Sequence, residues 1–289
     1  MKNIEHITDL CVIGGGMAGI CTAISAARHG IKVVLVQDRG VLGGNASSEI
    51  RMWICGAHGK DNRETGIIEE IMLENFFQNP QLSYSLWDMV LFDKTARQDN
   101  LTLLLNTSCL DANTENGKII SITAWQSPCE TVHTIKARYF ADCSGDSILS
   151  TLTGAHFRYG REAESEFGES IEPKTADKKT MGMSCLFQVR ETDKPQKFTP
   201  PEWAYKYCTD DDIPFREHDL SSNFWWIEMG GEGDCIHDTD KCRDELLKIA
   251  YGVWDHIKNH GDHGAENAEI LMRLSLMPVG RWTIIPRRV

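Results

Sequence analysis

The stretch Gly14-Gly15-Gly16-Met17-Ala18-Gly19 decides how the first part of this chain folds. It follows a short apolar run, DLCVI at 9–13, and opens the segment MAGICTAISAARH at 17–29, whose small and apolar residues suit a helix packed closely on a sheet. Gly30 then stops that helix. Residues 31–36, IKVVLV, read as a buried strand rich in β-branched side chains. Strand, helix and parallel strand make a βαβ unit with its tight turn at the glycines.

In that setting Gly14, Gly16 and Gly19 match GxGxxG, and each glycine has a task. The first permits the turn, the second lets backbone approach a pyrophosphate, and the third lets helix pack on strand. The pyrophosphate would sit where the amides at Met17 and Ala18 begin the helix, favoured by the helix dipole. An acidic residue about 20 positions on is expected to hold the adenosine ribose. That position carries Gln37, followed by Asp38 and Arg39. A glutamine amide still bonds hydroxyls, but without charge. Arg39 could meet an NADP 2′-phosphate, although an arginine opening a polar loop is more simply solvated.

A long loop rich in glycine, serine and asparagine covers 38–62, and helical patterns follow at 64–77 and 84–98. Beyond Asn100 the chain alternates in short segments, LTLLLN, SCLDAN, KIISITAW and TVHTIKA, with a turn signal at Glu115-Asn116-Gly117, which predicts an antiparallel meander. RYFADC at 138–143 reads as a further buried strand, ended by Ser144-Gly145-Asp146. From about 155 to 235 the composition turns charged and aromatic, before a helix at roughly 240–259. The expected division is 1–154 as a nucleotide-binding domain with the meander and 155–289 as a second, substrate-facing domain.

The chain of 289 residues is long enough for a full core, and its net charge of −12 opposes binding to nucleic acid or an anionic membrane. Its ten cysteines contain no CxxC and read as reduced thiols of a cytoplasmic protein. The amino terminus lacks a long apolar segment, and no run of eighteen apolar residues occurs, so neither a secretory signal nor a membrane span is expected.

The segment from Gln37 to Arg51, QDRGVLGGNASSEIR, resembles the FAD-dependent oxidoreductases related to glutathione reductase and the succinate-dehydrogenase flavoproteins. Ala141-Asp142-Cys143-Ser144-Gly145-Asp146 is similar to that family's ATGD element, and 154–169 also matches in character. The resemblance implies FAD as cofactor and an α/β fold: a Rossmann-like FAD-binding domain of the glutathione-reductase type with an inserted β-meander, plus a second α+β substrate domain. It implies cofactor contacts from Gly14, Gly16, Met17, Ala18, Gly19, Gln37, Asp38, Arg39, Gly43, Gly44, Asn45, Ser47, Arg51, Cys109, Ser144, Gly145 and Asp146. Three departures stand out: Gln37 replaces the usual glutamate, Ser144 stands where alanine-threonine is common, and the sequence after Leu276-Met277-Pro278 lacks the family's late glycine motif. A shortened member, missing part of the floor beneath the flavin, is the expectation.

A flavin would carry the hydride chemistry while the protein orients it and presents a small-molecule substrate. Arg51 is the candidate to balance negative charge, or it pairs with Glu49; His58 is the candidate base, or a structural loop histidine. Cys55 has no CxxC partner, which argues against a disulfide-reductase mechanism. His256, His260 and His263 have partial metal-ligand spacing, but Gly261 interrupts them and they read as a solvated helix end, so no metal is expected. Asp210-Asp211-Asp212 reads as a surface acidic run, and Phe224-Trp225-Trp226 as packing in the second domain or the lining of a pocket. The leading expectation is an FAD-dependent oxidoreductase that moves hydride between a small organic substrate and flavin. Its alternatives are a catalytically incomplete remnant that binds a nucleotide or partner, and an NAD(P)-dependent oxidoreductase.

Overall fold

A computed structural model describes residues 1–52, 54–56, 59–60, 62–214, 218, 220 and 227–278. The first strand, β1, runs Lys2–Ile13, starting well before the apolar run at 9–13. Its outer half alternates exposed and half-buried residues, as a strand with one solvated face does. The helix α1 (Met17–Arg28) and strand β2 (Val33–Val36) complete the βαβ unit, with β2 parallel to β1 and Leu10 opposite Val33. Helices α2 (Gly66–Gln78) and α3 (Tyr84–Ala96) then return the chain to β3 (Leu101–Leu104), which pairs parallel with β2.

That pairing corrects the expected meander, in which LTLLLN was the first antiparallel member. A helical crossover precedes it, and such a connection delivers a parallel strand. The antiparallel part comprises β4 (Thr107–Glu115), β5 (Lys118–Gln126) and β6 (Thr131–Asp142). TVHTIKA and RYFADC are one continuous strand rather than two, because β6 lies beside β1 from Thr131 opposite Lys2 to Asp142 opposite Ile13. The sheet order is β3-β2-β1-β6-β5-β4, with β1, β2, β3 and β6 parallel. Two short helices, α4 (Ile148–Thr153) and α5 (Glu164–Phe167), follow.

Both faces of the parallel part are covered, which is why its strands read as unbroken apolar runs. On one face Ile20 and Ile24 of α1 pack with Val12, Val33 and Leu35, together with Ile71 of α2 and Trp87 and Leu91 of α3. On the other, Cys11, Ile13, Val34 and Val36 meet Ile122, Ala124, Ile135 and Leu149. Arg28 donates two hydrogen bonds to Glu70, of 2.7 and 2.8 Å, and Lys94 donates one of 3.0 Å to the same carboxylate, which links α1, α2 and α3. The Arg28 bond is the main reason that carboxyl is drawn down to about 2.

The chain divides into two compact units, the first spanning Met1–Arg158 and the second beginning at Tyr159. The second contains a three-stranded antiparallel sheet of order β8-β7-β9, made from β7 (Met183–Glu191), β8 (Ile227–Met229) and β9 (Ala268–Pro278). Helix α6 (Thr239–Asn259) packs Leu246, Ala250, Trp254 and Ile257 against Met183, Cys185 and Phe187. Among the described residues, no helix is long and apolar enough to cross a membrane.

One polar pair interrupts the first sheet. His6 and His133 approach at 2.8 Å (Nε2 to Nδ1), and His133, 2% exposed, also lies 3.1 Å from Gln126 Oε1. Burial holds both imidazoles below their ordinary value. The unfolded chain therefore binds protons more readily than the folded one, and stability rises with pH through this window. Thermal melts should show stability falling as pH drops below about 6.5, by no more than about 1.4 kcal/mol per pH unit for each imidazole, with a shallower fall in His133→Gln.

Candidate functional site

Three loops leave the carboxyl edge of the parallel strands together, because Ile13 of β1 lies opposite both Val36 of β2 and Asp142 of β6. The chain runs outward from β1 to β2 and β3, then returns on the other side of β1 as β6. The gap between β1 and β6 is therefore the point where strand order reverses, the place where sheets of this kind take ligands. The glycine turn 14–19, the loop after Gln37 and the segment Ser144–Asp146 all belong to this edge.

The glycine turn is built by contacts that exclude side chains. Gly14 adopts a left-handed φ of 100°, and a Cβ there would overlap the carbonyl of Cys143. A Cβ on Gly19 would overlap the carbonyl oxygen of Gly14. Gly16 differs: its φ is −68°, and the nearest heavy atom to a Cβ would be Gly44 Cα at 4.0 Å. Helix α1 begins there with no capping side chain and no acidic residue in its first turn, so neither offsets the positive end of its dipole. The second glycine pair lies alongside, with Gly43 N–H donating to Gly15 O at 2.8 Å and Gly43 and Gly44 both at positive φ.

Gln37 is 3% exposed and its amide is engaged at both ends. Oε1 accepts from Gly15 N–H at 2.6 Å, and Nε2 donates to Val41 O at 3.1 Å. Gln37 thus clamps the glycine turn to the loop that follows β2. Asp38 is exposed, whereas Arg39 lies 3.5 Å from Glu49 and is not simply solvated.

Loop 40–52 is fixed from the side by α3. Trp87 Nε1 donates to Ala46 O at 2.7 Å, Tyr84 Oη donates to Arg51 O at 2.7 Å, and Ser48 N–H donates to Asp88 Oδ1 at 2.9 Å. Sequence reading missed these three, although their i, i+3, i+4 spacing on one helix face was available as a signal. Ser47, fully buried, receives Arg51 N–H on its carbonyl at 2.7 Å, while Asn45 O accepts from Met52 N–H at 2.9 Å. Arg51 takes a left-handed φ of 64°, donates from Nε to Ser48 O at 3.0 Å and lies over the Tyr84 ring. His58, Trp53 and the 224–226 aromatic cluster lie outside the described residues, as does the C-terminal segment from 279.

At the end of β6, Asp142 was also missed, and it organises the third loop. Its carboxylate accepts from Ser144 N–H (3.1 Å), Ser144 Oγ (2.6 Å) and Leu149 N–H (2.8 Å). Gly145 turns the chain at φ 85° before α4. Cys109 lies on β4, with its Sγ facing Asp111 O; burial first, then the nearby Asp142 carboxylate, raises its thiol to about 11, so it stays protonated. All ten cysteines are free thiols.

The fold and this edge define a dinucleotide-binding α/β protein, and the uncapped helix start beside two glycine turns fits a pyrophosphate. The sequence profile of the FAD dependent oxidoreductase family matches residues 9–278, and the chain belongs to that family, with FAD as its cofactor. Glycerol-3-phosphate dehydrogenase of Mycobacterium leprae is 36% identical over 66 residues, which are 23% of this chain and 11% of the relative. Glutathione reductase of Schizosaccharomyces pombe is 48% identical over 44 residues, 15% of this chain and 10% of the relative. These matches span about a tenth of each curated relative's length. Among solved structures, glycerol-3-phosphate dehydrogenase from Bacillus halodurans complexed with FAD aligns at TM-score 0.38 and 14% identity, covering 68% of this chain and 41% of that one.

Replacing the Gln37 clamp by an isosteric apolar group leaves Gly15 N–H and Val41 O without their partners. Gln37→Leu should lose about 1–3 kcal/mol in urea unfolding and release FAD more readily on dilution, read by the recovery of free-flavin fluorescence.

Proposed function

We propose that this chain holds the FAD pyrophosphate at the start of α1 and serves a hydride transfer between the flavin and a small organic substrate. The observation that carries the reading is Gly16: among the three motif glycines it alone faces open space, at an uncapped helix N-terminus, where an anion rather than a side chain is accommodated. Met17 and Ala18 supply the first-turn amides, and Gly43, Gly44, Asn45 and Ser47 extend the cradle. Ser144, Gly145 and Asp146 bound it on the β6 side. FAD, when bound, supplies the redox chemistry, and the chain supplies position and electrostatics. Arg51 contributes the cation of the loop, and its left-handed backbone, pinned by Ser47 and Tyr84, keeps that charge beside the cradle. His58 is the candidate proton carrier of the same loop. The unit beginning at Tyr159 is assigned to substrate recognition. Free thiols throughout support a reducing compartment, consistent with a cytoplasmic protein.

Two glycine substitutions separate folding from binding. Gly16→Ala should melt within about 1 kcal/mol of the parent, because its φ is ordinary and its surroundings are open, yet bind FAD at least tenfold more weakly. Gly19→Ala should fail to fold. The visible spectrum of the purified protein, the mass of any chromophore released on denaturation and a titration of each variant with FAD supply the readout. Undiminished FAD binding by Gly16→Ala would remove the pyrophosphate from this turn. Bound flavin that no reductant or substrate bleaches would leave a nucleotide-binding remnant.

A further inference from the structure

The second unit brings four ligand-type side chains to one point. Asp210 comes from a single 3-10 turn at Asp210–Asp212, His218 from the loop beyond it, His256 from the last turn of α6, and His263 from just after that helix. His256 is fully buried, so the expectation of a solvated histidine-rich helix end does not hold for it. Gly261 reverses the chain at a left-handed φ of 103°, and a Cβ there would stand 2.7 Å from His263 Nε2; glycine is what lets that ring turn back towards His256. His260 is not part of the group, since its Nε2 lies 3.4 Å from Asp255 Oδ2.

The separations are those of a coordination shell. His256 Nε2 is 3.1 Å from His218 Nδ1, and Asp210 Oδ1 is 3.3 Å from each of these and 3.6 Å from His263 Nε2. Four nitrogen and oxygen ligands set tetrahedrally at 2.0–2.2 Å from zinc stand about 3.3–3.6 Å from one another.

Proton inventory gives the second, independent reason. His256 Nδ1 lies 2.9 Å from Tyr207 O, and His218 Nε2 lies 2.9 Å from Ile213 O. A carbonyl oxygen only accepts, so both of these nitrogens carry a ring proton, which turns the other nitrogen of each ring, the one an imidazole offers to a metal, towards the cluster. Those two nitrogens face each other at 3.1 Å, with a carboxylate oxygen 3.3 Å from both, so the three atoms converge on one point, a place for a shared proton or a metal cation. Backbone carbonyls holding the outer ring nitrogens are also the usual means by which metal-binding imidazoles are oriented.

We propose that Asp210, His218, His256 and His263 form a zinc site that ties the turn at Asp210–Asp212 and His218 to the end of α6. His263 joins by releasing His260 O, from which its Nε2 lies 2.9 Å, and carrying its ring proton on Nδ1. Three imidazoles and a carboxylate suit zinc better than calcium or magnesium, which prefer all-oxygen shells. With four protein ligands the shell is closed, so the role is structural rather than catalytic.

The full-length protein, stripped with a chelator and dialysed, is titrated with zinc chloride while bound metal is counted by mass spectrometry and the melting temperature is followed. The expected result is one zinc per chain, a melting temperature that rises with zinc, and the visible d–d band of tetrahedral cobalt when cobalt replaces it. His263→Gln and Asp210→Asn should each weaken zinc binding at least tenfold, while His260→Gln leaves it unchanged. Asp210 has a side chain 74% exposed, so its variant does not disturb the core. Wild-type protein that takes up no zinc would show a protonated cluster instead, and zinc binding equal in Asp210→Asn, His263→Gln and the parent would place the metal elsewhere; either result overturns the proposal.

Discussion

The closest approach in the first unit, α1 against the ends of β1 and β6, leaves no room for a single methyl group. At Gly14 the backbone meets the carbonyl of Cys143, and at Gly19 the helix meets the carbonyl of Gly14. This contact sets the height at which α1 starts above the sheet, and with it the position of the helix N-terminus relative to the carboxyl edge. Helix α1 then covers Val12, Val33 and Leu35, and α2 and α3 pack against it in turn. Core packing and the placement of the helix start therefore rest on the same two glycines, whereas Gly16 makes no such close approach.

A cradle made of loops needs its backbone groups satisfied by something other than secondary structure. Here Gln37 joins the first two loops, Asp142 gathers the amides and hydroxyl of the third, and Tyr84, Trp87 and Asp88 hold the second from one face of α3. The strain at Arg51 is tolerated because the loop is over-determined on both sides. Glutamine at the end of β2 is a neutral clamp, with its oxygen on Gly15 N–H and its nitrogen on Val41 O.

The second unit follows a different logic. Its apolar core is ordinary, with α6 laid on a short antiparallel sheet, yet it buries His256 fully, between the Tyr207 carbonyl on one ring nitrogen and His218 on the other. A cross-link at His256 would tie the turn at Asp210–Asp212 to the last turn of α6.

Much of the first unit was legible in the sequence because it is local. Strand, glycine turn and helix follow one another within a few residues, and their chemistry depends on spacing along the chain. The helix at 239–259 likewise announces itself by periodicity, and those at 66–78 and 84–96 by their runs of helix-forming residues. Tertiary structure alone decided that LTLL pairs with β2, that TVHTIKARYFAD is one strand beside β1, and that Gln37 faces Gly15. It alone brought Asp210 and His218 to His256, which lies 38 residues beyond the nearer of them. Neighbours across a sheet or a packed helix end are chosen by long-range burial and backbone hydrogen bonding, and neither leaves a periodic mark in the sequence.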